Sequence, residues 1–327
     1  MTRNISQKIV NYFGKQVVKN KSNLVCRIFH LYLRKILIRL GDPLIKCNVH
    51  GYELKLPLSH RLPINLKSCP YYSSNLGRIA SYAKNKYSEF KLIDIGANVG
   101  DSVAILRAQS YFPILCVEGD YHFLNILQEN MANFSDVSIA PTFVGDTSGL
   151  QAAKVIKHDG TAYIKNIEDS GERTGYHICP LDEVLERYPD FSDSKMLKTD
   201  TDGFDGKVIR GSVEFIKKNN PILFFEYDPF FLKQQDDNGL EIFALLKKYG
   251  YSGILVYDNF GELLICMPEI DLQRIEEIDL YFTGRKGGHY CDVCVFHFED
   301  NDLFETSRNL EVSFFRDKKL SNNENSI

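Results

Sequence analysis

The sequence predicts an α/β protein built on a doubly wound sheet, preceded by a helical and hairpin extension. Short apolar runs alternate with segments of helical periodicity, which is typical of strands buried beneath helices. Several of these runs contain or end in carboxylates, among them the strands that carry Asp94, Glu118 and Asp200. Ligands of such sheets bind beyond the carboxyl ends of the strands. Acids at those ends therefore indicate where the functional site lies.

The composition is that of an ordinary globular protein. The chain has 327 residues, of which 44% are hydrophobic, enough to fill one large core or two modest ones. Its formal net charge is -4, although residues 1–41 contain nine Lys or Arg and no Asp or Glu. The rest of the chain is therefore strongly acidic, which argues against nucleic acid as the main partner.

Residues 1–41 are predicted to form a basic amphipathic helical extension. Two helices, Ile5 to Val18 and Leu24 to Leu40, are separated by a polar segment, and Gly41 is a stop signal. Cations opposite an apolar face are typical of helices that dock on an acidic body and of helices that lie on an anionic membrane. Docking is the preferred interpretation, and peripheral membrane contact is the alternative. No apolar run approaches the roughly 20 residues needed to span a bilayer.

Residues 42–89 are predicted to lead into the sheet through a hairpin and a helix. Ile45 to Leu56, interrupted by His50-Gly51, has the pattern of a β-hairpin, and Tyr71 to Lys86 that of a helix. The eight cysteines are scattered, and no apolar core of a secretory signal is evident. We therefore expect reduced thiols and a cytoplasmic location, with the inner face of the membrane as the alternative site.

The segment around the first sheet strand carries the main binding signal. Leu92 to Ile95 predicts a strand that contains Asp94, followed by a Gly96-x-x-x-Gly100 turn and a helix. Glycine allows a sharp turn and lets a ligand approach bare backbone. Asp94, Gly96, Asn98 and Gly100 are therefore candidate cofactor-binding residues. An ordinary buried strand with a glycine turn remains the structural alternative.

The second strand repeats this design. Ile114 to Val117 is followed by Glu118, at the distance where a nucleotide-binding fold presents a carboxylate to ribose hydroxyls. A dinucleotide fingerprint would place glycine where this chain has Asn98 and Asp101, so a nicotinamide cofactor is disfavoured. No Gly-Lys-Ser or Gly-Lys-Thr of a phosphate-binding loop occurs either. The spacing favours S-adenosylmethionine.

The third and fourth strands add further candidates. Val137 to Val144 predicts a strand that ends at Asp146, a candidate cofactor-binding residue. Residues 149–178 lack helical periodicity and predict an antiparallel excursion or flap. Lys195 to Asp200 is the fourth strand, and the turn after it contains Asp202. Asp200 and Asp202 are the candidate catalytic residues.

The remaining segments continue the alternation. The predicted elements are a helix over Lys207 to Lys218, a buried strand over Pro221 to Asp228, a helix over Leu240 to Tyr249, strands over Gly253 to Tyr257 and Leu263 to Cys266, a helix over Leu272 to Tyr281 and a last strand over Asp292 to Phe298. Residues 299–327 are polar and predict a frayed tail.

The motifs together resemble the FkbM family of S-adenosylmethionine-dependent methyltransferases. They are Ile93-Asp-Ile-Gly-Ala-Asn-Val-Gly100, Val117-Glu-Gly-Asp120, Leu197-Lys-Thr-Asp-Thr-Asp-Gly203 and Phe225-Glu226. The resemblance covers about residues 90–298 and implies a Rossmann-like, seven-stranded methyltransferase sheet. It also implies O-methylation of a sugar, glycan or related polar metabolite, as in bacterial surface polysaccharide biosynthesis. The family's usual Glu residues are here Asp202 and Asp205, each one methylene shorter.

Methyl transfer needs alignment of the acceptor oxygen with the methyl group and removal of the hydroxyl proton. Asp200 is the first choice for that base, with a surface turn as the structural alternative and His158, His177 and His289 as other bases. Asp200, Asp202, Glu226 and Asp228 could also hold Mg2+, which is not favoured because turn acids show the same spacing.

A zinc site is not predicted. His289, Cys291, Cys294 and His297 superficially resemble a zinc cluster, but strand alternation places the two cysteines on opposite faces. No metal ligand is therefore assigned to the chain.

Three classes of function remain on the sequence alone. A methyltransferase acting on a small-molecule or glycan acceptor is favoured. A nucleotide-sugar-modifying enzyme of another chemistry and a non-catalytic cofactor-binding module are the alternatives. Transfer of labelled methyl groups separates the first class from the other two.

Overall fold

The computed structural model describes residues 24–69, 71–158, 161–166, 175–284 and 289–324. It begins with helix α1 (Leu24–Arg39), the antiparallel hairpin β1 (Leu44–Val49) and β2 (Tyr52–Pro57), and helices α2 (Leu62–Ser68) and α3 (Ser74–Lys86). Arg34 of α1 donates hydrogen bonds to the carbonyls of Leu58 and Ser59, at 3.1 and 2.8 Å. These contacts join α1 to the segment after the hairpin. The helix expected over residues 5–18 lies outside the described residues.

The first half of the main sheet alternates strand and helix. Its elements are β3 (Leu92–Ile95), α4 (Asp101–Arg107), β4 (Ile114–Val117), α5 (Tyr121–Met131) and β5 (Val137–Ala140). The strand expected over 137–144 is divided, because β5 ends before Pro141 and the chain then enters a second sheet. Proline cannot donate the backbone hydrogen bond that would continue the ladder.

The excursion expected at residues 149–178 is part of this smaller sheet. Its strands are β6 (Phe143–Val144), β7 (Gly149–His158), β8 (Thr161–Asn166) and β9 (Gly175–Cys179), in the order β6-β9-β7-β8. Strand β7 pairs antiparallel with β8 and β9, whereas β6 pairs parallel with β9. The smaller sheet therefore carries the chain away from the end of β5 and returns it before the fourth strand of the main sheet.

The second half of the main sheet contains the remaining strands and most of the helices. Its elements are α6 (Leu181–Arg187), β10 (Met196–Thr199), α7 (Asp205–Arg210), α8 (Val213–Asn219), β11 (Ile222–Tyr227), α9 (Pro229–Gln234), α10 (Gly239–Lys248), β12 (Tyr251–Asp258), β13 (Leu263–Met267), α11 (Leu272–Thr283) and β14 (Cys291–His297). The single helix expected over 207–218 is two helices that meet at Gly211. A Cβ at Gly211 would lie 1.8 Å from the carbonyl oxygen of Gly145, so this close backbone contact requires glycine.

The strand order confirms the predicted doubly wound α/β fold. In the described part of the chain the main sheet has eight strands in the order β13-β12-β14-β11-β10-β3-β4-β5, one more than the seven expected. Five neighbouring strands are parallel: β5, β4, β3, β10 and β11. From β3 the chain adds β4 and β5 on one side, and it then crosses to the other side of β3 to add β10 and β11. A crevice at such a switch point is where this class of sheet binds ligands.

The sheet is buried on both faces. Every residue of β3, β4, β10 and β11 is buried. Leu92 and Ile114 belong to one core cluster, whereas their neighbours Ile93 and Leu115 belong to the other. Each large apolar side chain buried in this way contributes on the order of 1.5–3 kcal/mol. The two packed faces fix the strand ends, and with them the site.

The expected frayed tail is instead mostly helical. Asn301–Glu324 form helix α12, whose buried side chains include Leu303, Phe304 and Glu311. Glu311 forms a bidentate ion pair with Arg78 of α3, with both nitrogen to oxygen distances at 2.7 Å. The polar composition is misleading because the helix buries one stripe of residues and exposes the remainder. Within the described residues, none of the helices combines the length and apolar character that crossing a bilayer would demand.

Candidate active site

Two cavities meet at Asp200, beyond the carboxyl ends of β3 and β10. The first, which we name the glycine-loop cavity, is lined by residues that include Gly96, Asn98, Glu118, Phe143 and Asp202. The second, the tyrosine cavity, is lined by residues that include Tyr72, Lys198, Glu226, Tyr290 and Asp292. Asp200 contributes to both linings. A larger cavity of about 730 Å³ lies between α11 and the β12–β13 edge, away from these strand ends.

The glycine loop depends on a missing side chain. Gly96 has φ +77°, and a Cβ there would lie 2.0 Å from the carbonyl oxygen of Asp200. The N–H groups of Gly96 and Ala97 both donate to the carbonyl of Val117, at 3.0 and 3.1 Å. The loop is therefore held against β4 and β10 while its backbone borders the cavity. This bare backbone beside a buried carboxylate lets a ligand approach the loop closely.

Glu118 lies at the end of β4 and is 8% exposed. Its Oε2 accepts a hydrogen bond from the Asn98 N–H at 2.9 Å, and its Oε1 accepts one from the Asp120 N–H at 2.7 Å. Burial raises the pKa of Glu118 to about 7, although both N–H donors favour the ionised form. Each carboxylate oxygen keeps a second lone pair that can accept a ligand hydroxyl.

Three of the predicted cofactor-binding residues, Asp94, Gly100 and Asp146, do not line the glycine-loop cavity. Asp94 is completely buried, with Oδ1 2.8 Å from Nζ of Lys198, its partner in the register of β3 and β10. Gly100 precedes α4 with φ +86°, and a Cβ there would lie 2.5 Å from Cε of Met131. Asp146 is exposed, and its Oδ2 lies 3.3 Å from Nε of Arg210. The predicted third strand is divided into β5 and β6, and β6 belongs to the smaller sheet, so Asp146 does not follow a strand of the main sheet.

The two predicted catalytic residues are brought together by the turn after β10. The Asp200 side chain is 51% exposed, and its Oδ2 lies 3.6 Å from Nζ of Lys198. Asp202 has φ +50° and lines the glycine-loop cavity. Burial, followed by repulsion from Asp200, raises the pKa of Asp202 to about 8. Asp202 therefore holds a proton readily near neutral pH, whereas Asp200 is the carboxylate accessible from both cavities.

Asp205 holds this turn. Its Oδ1 accepts a hydrogen bond from Oγ1 of Thr199 at 2.8 Å, and its Oδ2 accepts one from the N–H of Gly203 at 3.3 Å. With 1% of its surface exposed, Asp205 contacts the turn rather than the open cavity. The Asp205 side chain, one methylene shorter than the family's usual Glu, is long enough to accept both of these hydrogen bonds.

Sequence reasoning missed much of the tyrosine cavity. Lys198 precedes Asp200 by two positions in the predicted strand Lys195 to Asp200, so strand alternation could have placed both on one side of the sheet. Tyr72 and Asp292 enter the cavity from α3's N-terminal side and from β14, far away in the sequence. No local signal indicates such a contact.

No metal centre is evident in the described ranges, where no three His, Cys, Asp or Glu side chains are arranged to hold an ion. Cys291 and Cys294 belong to different core clusters, on opposite faces of the sheet. His177 and His289 are exposed and line neither of the two cavities that meet at Asp200. The side chain of His158 lies outside the described part of the structure.

Comparisons with solved structures return distant methyltransferases. A methyltransferase FkbM from Methylobacillus flagellatus KT is 16% identical over 64% of this chain and 44% of its own length, with a TM-score of 0.38. The O-methyltransferase from Bacillus cereus is 11% identical over 81% of this chain and 97% of its own, with a TM-score of 0.39. A putative O-methyltransferase from Klebsiella pneumoniae is 11% identical over 81% and 96%, with a TM-score of 0.40. No curated protein matches the chain.

The sequence family described as "Methyltransferase FkbM domain" matches residues 94–252. This range contains the glycine loop, Glu118 and the Asp200 turn, and the family agrees with the resemblance drawn from the motifs. Residues 94–252 are therefore a methyltransferase domain of the FkbM family, which uses S-adenosylmethionine.

Proposed function

We propose that the protein transfers the methyl group of S-adenosylmethionine to a hydroxyl oxygen of a sugar, glycan or related polar metabolite. The observation that carries the proposal is the meeting of two cavities at Asp200. One cavity offers bare backbone and the Glu118 carboxylate, and the other is lined by polar side chains. A carboxylate between them is positioned to serve a reaction between two ligands. A role in surface polysaccharide biosynthesis is the corresponding biological expectation, and its support is the family resemblance.

The residues supply alignment and proton transfer. When bound, S-adenosylmethionine supplies a methyl group on a positively charged sulfur. The loop Gly96–Gly100 and Glu118 would hold the adenosyl part, while the acceptor enters from the tyrosine cavity. Asp200 would take the proton of the acceptor hydroxyl, which leaves the oxygen free to accept the methyl group. Positioned acid–base groups of this kind contribute roughly 100-fold to 10,000-fold to a rate.

Methyl transfer itself is tested with S-adenosylmethionine tritiated in the methyl group and pools of candidate glycans and polar metabolites. We expect label in a product whose mass is greater by one methyl group. Cofactor binding without transfer to any acceptor would favour a non-catalytic binding module. Absence of cofactor binding would favour a sugar-modifying enzyme of another chemistry.

Glu118→Gln is expected to weaken S-adenosylhomocysteine binding. The amide loses the charged acceptor for the ribose hydroxyls, a loss of about 1.5–3 kcal/mol for a hydrogen bond to a charged group. Isothermal titration calorimetry measures the change. Glu129→Gln is the matched control, because Glu129 on α5 is exposed and pairs with Lys55 outside the cavity. Equal affinity of the parent and a folded Glu118→Gln variant would contradict the assignment.

The same carboxylate gives a pH dependence. Because the pKa of Glu118 is raised to about 7 and the ribose needs the ionised form, binding is expected to weaken as pH falls through 7. Below that pKa the affinity should fall about tenfold per pH unit. Titrations from about pH 8.5 to about pH 5.5 check this, and Glu118→Gln should remove that part of the slope. Asp202, whose pKa burial raises to about 8, lines the same cavity and is a second source of pH dependence.

We also propose that the basic extension contacts anionic membranes. Lys35 and Arg39 of α1 are exposed beside the exposed side chains of Tyr32 and Leu40, a pattern that suits an interface. Co-sedimentation with phosphatidylserine vesicles should be strong at low salt and weak at high salt, because such attraction is screened. Replacing Lys35 and Arg39 with Glu should remove it. No sedimentation at low salt would leave docking on the protein body as the role of the extension.

A further inference from the structure

The tyrosine cavity is assembled from two parts of the chain. Asp101, Lys198, Asp200 and Glu226 come from the family domain, residues 94–252. Tyr72, Ser73, Asn259, Tyr290 and Asp292 come from the flanking segments. The residues that line the glycine-loop cavity all come from the family domain. The flanking segments therefore help to select the acceptor that enters the tyrosine cavity.

Two carboxyl groups lie side by side in this cavity. Glu226 of β11 and Asp292 of β14 are direct partners in the antiparallel register. Like charges directly opposite each other destabilise a sheet. Oδ2 of Asp292 accepts a hydrogen bond from Nδ2 of Asn75 at 3.2 Å. Glu226 is 7% exposed and makes no hydrogen bond or ion pair with any residue that the structure describes. A buried carboxyl without a partner is costly unless a ligand satisfies it.

The nearby cation is already engaged. Lys198 lies on β10, the strand next to β11. Its Nζ lies 2.8 Å from Oδ1 of Asp94 and 3.6 Å from Oδ2 of Asp200. Burial alone would lower the pKa of Lys198, but Asp94, Asp200 and Asp101 raise it, so the lysine stays charged. Burial and repulsion from Asp200 raise the pKa of Glu226 well above its ordinary value, and burial raises that of Asp292 to about 7. The raised pKa values of Glu226 and Asp292 reflect a negative potential in the cavity, which a bound cation would offset by favouring the ionised carboxylates.

The complement of such a cavity is a cation that donates hydrogen bonds. An ammonium group has three N–H donors and a full charge, and carboxylates are its usual partners. A metal ion is a poorer match, because no three-residue ligand set occurs among the described residues. We propose that Glu226 and Asp292 bind a protonated amine of the methyl acceptor, so that the acceptor is an amine-bearing polyhydroxy compound such as an amino sugar. This inference rests on the proposed methyl transfer to a hydroxyl group, because Asp200 borders the same cavity.

A charge series of sugars tests the inference. D-Glucosamine, D-glucose and D-glucuronate share a ring and differ in charge, and each is titrated into protein saturated with S-adenosylhomocysteine. We expect glucosamine to bind about tenfold or more tightly than glucose, the scale of a charged hydrogen bond. Glucuronate should bind most weakly because it adds a negative charge. Ligand-detected NMR gives the three dissociation constants.

Two variants locate the effect. Glu226→Gln and Asp292→Asn should each lower glucosamine affinity about tenfold and leave glucose affinity within about twofold. Both relieve a like-charge pair, so thermal unfolding should show a melting temperature no lower than the parent's. Glu214→Gln is the matched control, since Glu214 is 77% exposed on α8.

The cofactor titration separates the two proposals. Failure of the parent to bind S-adenosylhomocysteine would contradict the proposed function. Normal cofactor binding with equal affinity for the three sugars, a preference for glucuronate, or no binding of glucosamine would overturn the amine site alone. So would variants that keep the full preference for glucosamine.

Discussion

Asp200→Asn is expected to lower methyl transfer roughly 100-fold or more while leaving cofactor affinity unchanged. The amide keeps the shape of the side chain but cannot accept the hydroxyl proton. Asp200 is half-exposed between the two cavities and is held near the Lys198 ammonium, so the substitution removes a positioned base without opening the core. Turnover under saturating substrates and calorimetric titration of S-adenosylhomocysteine measure the two quantities separately.

Two controls accompany this variant. Asp193→Asn makes the same chemical change at an exposed residue that pairs with Lys91, and it should leave turnover unaltered. Chelation with EDTA should leave the parent active if Asp200 takes a proton, whereas loss of activity restored by Mg2+ would assign it to a metal instead. Full turnover of Asp200→Asn without any metal response would exclude both roles. Asp202 would then become the first residue to test.

Glu311→Gln is expected to destabilise the fold by about 3–5 kcal/mol, the usual loss when one partner of a buried ion pair is removed. Glu311 has no exposed surface, and its two oxygens accept both hydrogen bonds of the Arg78 fork. Arg78 also donates to Oγ of Ser74 and lies 4.0 Å from the centre of the Phe314 ring. Without the carboxylate, a buried guanidinium keeps its charge and loses its counterion. Urea unfolding followed by circular dichroism measures the change.

The control for this variant lies on the same helix. The Glu305 side chain is 42% exposed and pairs with Arg308, so Glu305→Gln should change the free energy of unfolding by less than about 0.5 kcal/mol. A double variant, Arg78→Met with Glu311→Leu, should recover most of the lost stability, because apolar groups of similar size need no counterion. A change in Glu311→Gln as small as that in Glu305→Gln would show that α12 is not anchored through this pair.

The parallel strands and the loop after β3 were predictable because their signals are local. A strand buried on both faces is a short apolar run, and Leu92 to Ile95 has that form. The turn at Gly96 needs a residue without a Cβ, because the backbone of Asp200 after β10 lies against it. The glycine in the sequence therefore indicates this close contact. The positions of Glu118 and Asp200 follow from the rule that parallel strands end at one edge. These elements also carry the match to the FkbM methyltransferase domain.

Local patterns could not assign each acid to a cavity. Asp94 lies within β3 rather than at its end, so its carboxylate pairs with Lys198 across the sheet. Asp146 follows β6, which the chain places in the smaller sheet. The sequence shows both as acids near a strand, and only the register and the division of the third strand show where their side chains lie.

The sequence by itself determined the doubly wound fold, the glycine loop, Glu118 and the Asp200 turn, since each depends on residues adjacent in the chain. Tertiary structure alone decided that α12 packs on the core and that Asn75 donates a hydrogen bond to Asp292, which lines the tyrosine cavity. The physical reason is that pairings over such sequence separations arise from packing of whole elements. Their polar partners, such as Glu311, look like surface residues until the helices that bury them are in place.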